Sequence, residues 1–329
     1  MKPFSEIEID VRLSGDDLAR QLREDARDGL LSTPRRIPSK WIYDQRGSEL
    51  FDEITRLPEY YLTRCERSIL ERESATIAAL TKANTLIELG SGTSDKTRLL
   101  INALTAAETL ECFTPFDVHE ATLRSAAEQL VAWYPGLIVH GIVGDFEQHI
   151  YDLPRGIGGG SRMVAFLGST IGNLDPRQRA DLFARLAEAL EPGDHFLLGV
   201  DLVKDIALIE AAYNDSAGVS AKFNLNILSV LNHQLEADFV LDKFHHVAFF
   251  NRAQEWMEMW VESKQSQVVT IAALDEEIKF GETERVHTEI SAKLRREGIE
   301  GELERAGFRP VRWFTDDRGY FAISLCAVV

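Results

Sequence analysis

Cysteine and long apolar runs are both scarce in this sequence of 329 residues. Its three cysteines, Cys65, Cys112 and Cys326, are far apart and form no CxxC or Cys/His cluster. We therefore expect no disulfide framework, no zinc or other metal site, and a reducing cytoplasmic location. Apolar runs such as VAFLG and FLLGV are too short to cross a bilayer, and the N-terminus shows no signal-peptide core.

Positive charge is also in short supply. The chain has 36 lysines and arginines against 53 aspartates and glutamates, a net charge of −17. This balance disfavours nucleic acid and anionic membranes as partners, because phosphate recognition requires a basic surface. With 45% hydrophobic residues the chain can bury a sizeable core. We expect a monomer that acts on a small molecule.

Short apolar runs alternate with helical patterns through the middle of the chain. The runs are TLIELG, CFTPFDV, LIVHGIVGDF, MVAFLGST and HFLLGVDL. Such alternation predicts an α/β fold, a doubly wound and mostly parallel sheet covered by helices on both faces. Because ligands of these sheets bind at the carboxyl ends of the strands, the polar residues that follow each run are the candidate site.

The alternation stops after Asp201. A helical stretch follows, and then HVAFFN, EWMEMWVESKQSQVVTI and ERVHTEIS, whose alternating pattern predicts antiparallel strands. The chain ends with a helix and two strands around the turn at Asp317-Arg318-Gly319. We interpret the insertion as a second, α+β domain that handles the substrate.

The segment IELGSG, which contains Gly90, Ser91 and Gly92, joins the first of these strands to a helix. A dinucleotide loop would carry a third glycine where Asp95 stands, and no phosphate-binding lysine motif is present. The preceding acid, Glu88, suits a ligand without a pyrophosphate, such as the cationic S-adenosylmethionine. An ordinary turn remains the alternative for this segment taken alone.

Polar groups at the next strand ends favour an adenosyl ligand. Asp117 stands where a carboxylate can accept both ribose hydroxyls. Asp145 and Phe146 can bond an adenine amine and stack on its ring. The fourth strand ends in FLGSTIGNLDP, where Thr170 and Asn173 are candidates for holding a methyl acceptor. Helix capping is the alternative for each single aspartate.

Several blocks together resemble one family, the histidine Nα-methyltransferases of ergothioneine biosynthesis. They are IPSKWIYDQRGSELFDEITRLPEYYLTR, ELGSGTSDKTRLL, PFDV, GDFE, FLGSTIGNL, DLVKD, FNLNIL and EMW. The resemblance implies a class I methyltransferase fold that uses S-adenosylmethionine to convert L-histidine into trimethylhistidine (hercynine) in three transfers. It also implies a substrate-binding domain of residues 1–64 and 204–293, and a cofactor-binding domain of residues 65–203 and 294–329.

The resemblance also assigns residues to roles. The implied cofactor contacts are Gly90, Ser91, Gly92, Lys96, Asp117, Asp145 and Phe146. The implied substrate contacts are Tyr60, Glu289 and Ser291 for the imidazole, Asn173 and Tyr213 for the carboxylate, Gly168 and Thr170 beside them, and Met259 along the side chain. Tyr43 is the implied catalytic residue, near the reacting amine.

Two other functions stay open at this point. One is methylation of a different small amine or amino acid, against which Glu289 and Tyr60 are the discriminating residues. The other is a nucleotide-binding oxidoreductase or a regulatory adenosyl-binding module. The missing third glycine disfavours the oxidoreductase, and the set of substrate-binding polar groups disfavours the regulatory module.

Overall fold

The computed structural model describes residues 6–92 and 94–329. The strands of these residues are, in chain order, β1 (Glu6–Val11), β2 (Arg35–Arg36), β3 (Thr85–Leu89), β4 (Cys112–Asp117), β5 (Ile138–Val143), β6 (Arg162–Phe166), β7 (His195–Asp201), β8 (Phe244–Asn251), β9 (Trp256–Ser263), β10 (Gln267–Ile271), β11 (Glu276–Phe280), β12 (Arg285–Ala292), β13 (Phe308–Thr315) and β14 (Phe321–Val328).

The α-helices of the described residues are α1 (Gly15–Leu30), α2 (Gln45–Thr55), α3 (Leu62–Thr81), α4 (Arg98–Ala106), α5 (Glu120–Trp133), α6 (Phe146–His149), α7 (Pro176–Ala189), α8 (Ile206–Tyr213), α9 (Val219–Leu235) and α10 (Arg296–Arg305). Short 3-10 helices cover Ser39–Ile42, Ile150–Asp152, Ile157–Gly159, Thr170–Asn173, Leu241–Lys243 and Ala272–Leu274. None of these helices has the length and apolar character that crossing a membrane requires.

The chain divides into two compact units. The larger unit comprises Leu62–Leu202, Leu294–Val329 and the described part of Met1–Ser14. The smaller unit comprises Gly15–Tyr61 and Val203–Lys293. The sequence-based boundaries place residues 1–64 together, and the structure corrects this at both ends of that range.

The physical reason for the correction is strand pairing. β1 pairs in parallel with β5, from Glu6 opposite Ile138 to Val11 opposite Val143, and so joins the sheet of the larger unit. We did not predict this strand from EIEIDV. At the other end of the range, α3 begins at Leu62 and buries Leu62, Ile69 and Ile77 in the larger unit.

The larger unit is built on one eight-stranded sheet with the order β1-β5-β4-β3-β6-β7-β14-β13. The first six strands in this order run parallel, whereas β14 is antiparallel to β7 and β13 is antiparallel to β14. The predicted doubly wound, mostly parallel sheet and its closing hairpin are confirmed. β3, β4 and β6 are neighbours, so the polar residues after them reach the same edge of the sheet.

The smaller unit contains a four-stranded sheet of order β2-β12-β9-β8 and a separate hairpin of β10 and β11. Antiparallel pairing of β12 with β9 and of β9 with β8 agrees with the alternating pattern of the insertion. The sequence STPRRIPSKWIYD, with two prolines and no clear period, predicts a loop, but the structure has β2 and the 3-10 helix Ser39–Ile42 in this segment.

Asp175 and Asp44 are helix N-caps. Asp175 forms a capping box with Gln178 at the start of α7, where Pro176 occupies the first turn. Asp44 accepts a hydrogen bond from the Gly47 backbone N–H at the start of α2. Both carboxylates therefore satisfy helix N–H groups, which explains them without a ligand.

Candidate functional site

The glycine loop follows β3, whose five residues are all buried. Gly90 and Gly92 have φ values of +67° and +49°, in the left-handed region that favours glycine. The backbone N–H of Gly90 donates to the Phe116 carbonyl at 2.8 Å, which fixes the loop to the end of β4. A β-carbon at either glycine would meet no atom within 4 Å, so space is open beside the loop.

Asp117, at the end of β4, fastens this loop with both carboxylate oxygens. Oδ2 accepts the Gly92 backbone N–H at 2.8 Å, and Oδ1 accepts the His119 backbone N–H at 3.0 Å. A carboxylate oxygen has two acceptor positions, so each oxygen keeps one for a ligand hydroxyl. These two hydrogen bonds thus fix the orientation of the carboxylate that we predicted to bind the ribose.

Several buried polar atoms around the loop have no hydrogen-bond partner among the described residues. They are Glu88 Oε2, Ser91 Oγ, Ser94 Oγ, Arg98 Nε and His119 Nε2. Burial, partly offset by a hydrogen bond from Thr97, raises the pKa of Glu88 to about 7. Burying a polar group without a hydrogen-bond partner costs free energy. Several such groups close together indicate a candidate site for a polar ligand.

Lys96, the predicted cofactor contact beyond the glycines, forms an ion pair with Glu66 of α3. Glu66 is completely buried and its other oxygen accepts the Gly168 backbone N–H at 2.7 Å. One carboxylate therefore connects the glycine loop with the turn after β6. Gly199 of β7 makes room for it, since a β-carbon there would lie 2.3 Å from Glu66 Oε1.

Asp145 and Phe146 lie just beyond β5, which ends at Val143. Asp145 caps the short helix α6 by accepting the Glu147 backbone N–H at 2.9 Å, and it also accepts from the Gln148 side chain at 3.2 Å. The Phe146 ring meets Phe166 edge to face at 5.2 Å between centroids. The capping alternative is therefore true of Asp145, while its assignment to adenine remains a prediction.

The turn after β6 carries Gly168, Thr170 and Asn173. Gly168 and Ser169 both have positive φ, at +78° and +58°. Ser169 Oγ accepts the Asp201 backbone N–H at 3.0 Å, and Thr170 Oγ1 donates to the Leu167 carbonyl at 3.1 Å. These bonds hold the left-handed turn in place. Gly168 comes close to Lys96, as a β-carbon at Gly168 would lie 3.7 Å from Lys96 Nζ.

In the smaller unit, five aromatic rings contact one another in a connected group. Tyr43 meets Phe51 at 5.6 Å and Phe223 at 5.1 Å, and Tyr60 meets Phe51 at 6.1 Å and Tyr213 at 6.3 Å, all edge to face. Burial, followed by the proximity of Glu289, raises the pKa of Tyr43 well above its usual value. The Tyr43 hydroxyl thus keeps its proton at physiological pH.

Glu289 and Ser291 share one face of β12, because side chains alternate along a strand. Burial raises the pKa of Glu289 to about 7, although the positive charge of Lys293 lowers it. Glu289 lies opposite Met259 of β9, next to a register shift that follows His287. Such a register shift changes the direction of the side chains on the face that carries Glu289.

Lys293 continues the same alternation and is only 2% exposed. Its ammonium donates to the Tyr213 hydroxyl at 2.7 Å and to Ser291 Oγ at 2.8 Å. Those two hydroxyls are also within 2.7 Å of each other. The three side chains form a closed triangle, which we call the lysine–hydroxyl triad.

Met259, which we predicted to line the substrate side chain, is buried in an apolar cluster with Ile209, Phe250 and Met257. Tyr213 packs against this cluster. The cluster that contains Met259 therefore supports Tyr213 of the lysine–hydroxyl triad. A contact between Met259 and the substrate stays a prediction.

Sequence reasoning missed Glu66 and Lys293. Glu66 stands in a helical stripe that also contains Leu62, Ile69 and Leu70, so an acid in an apolar stripe was a detectable signal. Lys293 follows Glu289 and Ser291 with the period of two that marks one strand face. Neither pattern reveals the partner of the buried charge.

Comparison with known proteins places this chain in a family. Residues 22–328 match the family described as "Histidine-specific methyltransferase, SAM-dependent". A protein named "Histidine N-alpha-methyltransferase" from Mycolicibacterium smegmatis is 50% identical over 313 residues, which cover 95% of this chain and 97% of that protein. One of the same name from Mycobacterium tuberculosis is 49% identical over 306 residues, covering 93% and 94%.

More distantly, "Ergothioneine biosynthesis protein 1" from Schizosaccharomyces pombe is 35% identical over 204 residues, covering 60% of this chain and 26% of that protein. The family match spans most of both units, and it agrees with the parallel sheet and the fastened glycine loop of the larger one. The chain therefore belongs to the family of histidine-specific, S-adenosylmethionine-dependent methyltransferases.

Proposed function

We propose that this protein transfers three methyl groups from S-adenosylmethionine to the α-amino nitrogen of L-histidine, giving the trimethylhistidine of ergothioneine biosynthesis. The observation that carries the proposal is the match of residues 22–328 to a histidine-specific methyltransferase family. The polar face of β12 and the loop after β3 supply the side chains for substrate and methyl donor, each in its own unit.

The residues around the glycine loop fit S-adenosylmethionine. Gly90 and Gly92 border open space on either side of Ser91. Asp117 keeps acceptor positions for ribose hydroxyls, and Lys96 offers a cation for a carboxylate. Asp145 and Phe146 remain the proposed adenine contacts. When bound, S-adenosylmethionine supplies a methyl group already activated by its sulfonium.

The smaller unit offers complementary groups for an imidazole. Glu289 provides an acceptor for a ring N–H, and Ser291 lies two residues further on the same strand face. Tyr60, 7% exposed, contributes an aromatic surface next to Tyr213. A carboxylate accepts hydrogen bonds and cannot donate them, so Glu289 favours a substrate side chain that carries a ring N–H.

The substrate carboxylate is assigned to Tyr213 and Asn173, with Gly168 and Thr170 beside Asn173 in the turn after β6. Asn173 has one amide N–H₂ group, which can donate to a carboxylate. This assignment rests on the resemblance of STIGN and AAYND to the family's motifs. It stays a proposal for all four residues.

Tyr43 is the proposed catalytic residue, acting as a neutral hydroxyl. Its raised pKa keeps the proton on the oxygen. The oxygen can accept a hydrogen bond from an amine N–H, which orients the amine and leaves its lone pair free to attack the methyl group. An α-amino group has a pKa of about 8, and a useful fraction is neutral without a strong base. The proton released between transfers can leave to water.

The test of the function is mass spectrometry of L-histidine incubated with the protein and S-adenosylmethionine. We expect mono-, di- and trimethylated products with every label on the α-nitrogen in the fragment spectra. A label on the ring, or transfer to another amino acid in preference to histidine, would reject the proposal. Monomeric state and cytoplasmic location are part of the proposal, and light scattering and cell fractionation test them.

A further inference from the structure

Tyr213, the last residue of α8, has its backbone carbonyl bonded by a side chain. The Nε2 atom of His246, on β8, lies 3.0 Å from the Tyr213 carbonyl oxygen. The last carbonyls of a helix have no partner within the helix, and a histidine side chain can supply one. Because a carbonyl oxygen only accepts hydrogen bonds, Nε2 of His246 must carry a proton.

The other ring nitrogen of His246 faces a donor. Asn224 Nδ2, on α9, lies 2.9 Å from His246 Nδ1 and also 2.9 Å from the Trp260 carbonyl oxygen. Since that carbonyl only accepts, the amide nitrogen of Asn224 must face it rather than the amide oxygen. Asn224 Oδ1 in turn accepts from the Thr288 hydroxyl at 2.6 Å. The orientation of the Asn224 amide is therefore fixed.

These contacts specify one form of the His246 ring. Nδ1 accepts from Asn224 and carries no proton, whereas Nε2 donates to Tyr213 and carries one. Protonation of Nδ1 would place two donors against each other and break the bond to Asn224. Because Asn224 is only 2% exposed, losing that bond would leave a buried polar group without its partner, which costs free energy.

The surroundings of His246 also favour the neutral ring. Burial lowers the pKa of His246, the bond to the Tyr213 carbonyl and the carboxylate of Asp215 raise it by less, and His245 lowers it again. The pKa of His246 is thus below its usual value of 6.5, and the ring is neutral at pH 7.

Tyr213 is held at two places. His246 bonds to its backbone carbonyl, while Lys293 and Ser291 of the lysine–hydroxyl triad bond to its hydroxyl, each at 2.7 Å. The side chain of Tyr213 starts from the backbone that His246 fixes. Loss of the His246 bond would therefore leave the phenol fixed at its hydroxyl end and free to shift at its backbone end.

We propose that His246 is a positioning residue for the substrate: in the neutral form with its proton on Nε2, which Asn224 selects, it holds the backbone of Tyr213 and so places the Tyr213 hydroxyl for the substrate carboxylate. This inference rests on the proposed function, in which Tyr213 binds that carboxylate. It assigns Asn224 and His246 to substrate binding, with His246 acting through Tyr213.

The kinetic test compares two substitutions of His246 that place an amide nitrogen differently. The side-chain nitrogen of glutamine reaches the position of the imidazole Nε2, whereas that of asparagine reaches only the position of Nδ1. His246→Asn should raise KM for histidine roughly threefold to tenfold, the range of one neutral hydrogen bond, with kcat changed by less than about twofold. His246→Gln keeps the donor, and both constants should stay within about twofold of wild type.

The two constants separate positioning from folding. A variant that is merely less stable contains less active protein, which lowers the apparent kcat and leaves KM unchanged. Affinity for S-adenosylhomocysteine should stay within about twofold in both variants, because His246 belongs to the smaller unit. His245→Gln is the matched control, since this neighbouring side chain is 43% exposed and pairs with Glu262, and it should leave KM unchanged.

Nuclear magnetic resonance of protein labelled with nitrogen-15 in its histidine rings tests the form of the His246 ring. The chain has eight histidines, and the His246 signals are identified by their absence from His246→Gln. We expect a protonated Nε2 and an unprotonated Nδ1 at pH 7. Asn224→Asp replaces the donor by a carboxylate, so His246 should then be protonated on both nitrogens.

A wild-type ring that is protonated on Nδ1, or equal KM values in His246→Asn and wild type, would overturn the inference. Equal rises in KM for His246→Asn and His246→Gln would also overturn it, because the donor would then not be the cause. Should His246→Asn fail to fold, His246→Leu, which also removes the donor, takes its place. Wild-type protein that does not methylate histidine would instead reject the proposed function, whereas the form of the ring is measured without substrate.

Discussion

The proposed cofactor site of the larger unit and the proposed substrate site of the smaller unit are built in different ways. Around Gly90 and Gly92, backbone N–H groups and strand ends define the proposed cofactor site, and five buried polar side-chain atoms lack hydrogen-bond partners within the described residues. Around Tyr213 and Lys293, side chains define it, and hydrogen bonds among them are largely complete.

The difference predicts how each unit would recognise its proposed ligand. Polar atoms that lack a partner in the protein can form hydrogen bonds when a polar ligand binds. The affinity for the ligand then depends on a few side chains, each of which a substitution can remove. A site with an internal network is already ordered and selects by the direction of the bonds that remain. We expect substitutions in the larger unit to change affinity, and those in the smaller unit to change discrimination.

Asp117→Ala should have the largest effect. It removes the proposed bond to ribose, worth about 1.5–3 kcal/mol, and it also releases the Gly92 and His119 backbone N–H groups. We expect affinity for S-adenosylmethionine and S-adenosylhomocysteine to fall by roughly a hundredfold or more. Calorimetry measures this, with Asp145→Ala as a comparison, and equal affinity in Asp117→Ala and wild type would contradict the ribose assignment.

Glu289→Ala should lower kcat/KM for histidine by roughly ten- to a few-hundredfold, the scale of one charged hydrogen bond. Affinity for S-adenosylhomocysteine should stay within about twofold, because Glu289 lies in the smaller unit. The preference for histidine over tryptophan should shrink, since a site that no longer requires a ring N–H rejects other side chains less.

The measurement is kcat/KM for both amino acids in both proteins. Glu262→Ala serves as a matched control, because Glu262 is also on the four-stranded sheet but bonds to Arg285 and His245. Full histidine activity with unchanged preference in Glu289→Ala would place the imidazole contact elsewhere.

Gly199→Ala tests the connection made by Glu66. The new β-carbon would lie 2.3 Å from Glu66 Oε1, and the carboxylate would have to leave Gly168 or Lys96. We expect destabilisation of about 1–3 kcal/mol, typical of overpacking, together with weaker cofactor binding. Gly298→Ala, where a β-carbon meets nothing within 4 Å on α10, should instead be neutral or stabilising by about 0.5–1 kcal/mol.

Thermal denaturation and calorimetry on both variants decide this prediction. If Gly199→Ala is as stable as Gly298→Ala and binds S-adenosylhomocysteine normally, Glu66 does not hold the loop.

The smallest effect concerns pH. Glu88 and Glu289 both have a folded-state pKa of about 7, above the usual value of 4.5, because burial disfavours their charge. Between these values the folded chain binds more protons than the unfolded chain, so stability should fall as pH rises from about 4.5 to about 7. Glu88→Gln and Glu289→Gln should each reduce this decline, by roughly 2–4 °C in Tm.

Melting temperatures of the ligand-free proteins from pH 5 to 8 provide the measurement. The two reductions should add in the double variant, because the carboxyls belong to different units. If the melting temperature falls with pH as steeply in both variants as in wild type, groups other than Glu88 and Glu289 cause the fall.

The amino-acid sequence by itself determined the parallel sheet and the glycine loop. Five short apolar runs alternate with helices, and Gly90, Asp117 and Asp145 lie at or within two residues of the ends of their strands, so the signal is local and continuous. Parallel strands bring their carboxyl ends to one edge by geometry, and the pattern alone therefore indicates a common site. Only the pairing of β1 with β5, which depends on a partner more than 130 residues away, escaped this reasoning.

The site of the smaller unit was decided by tertiary structure. Tyr43, Tyr60, Tyr213 and Glu289 come from separate stretches of the chain, and family resemblance, rather than any local pattern, suggested them. Lys293 is an ordinary residue in the sequence, and its burial against two hydroxyls depends on α8 ending beside β12. Which group donates each hydrogen bond depends on which side chains folding brings into contact. The spacing of residues along the sequence does not show these contacts.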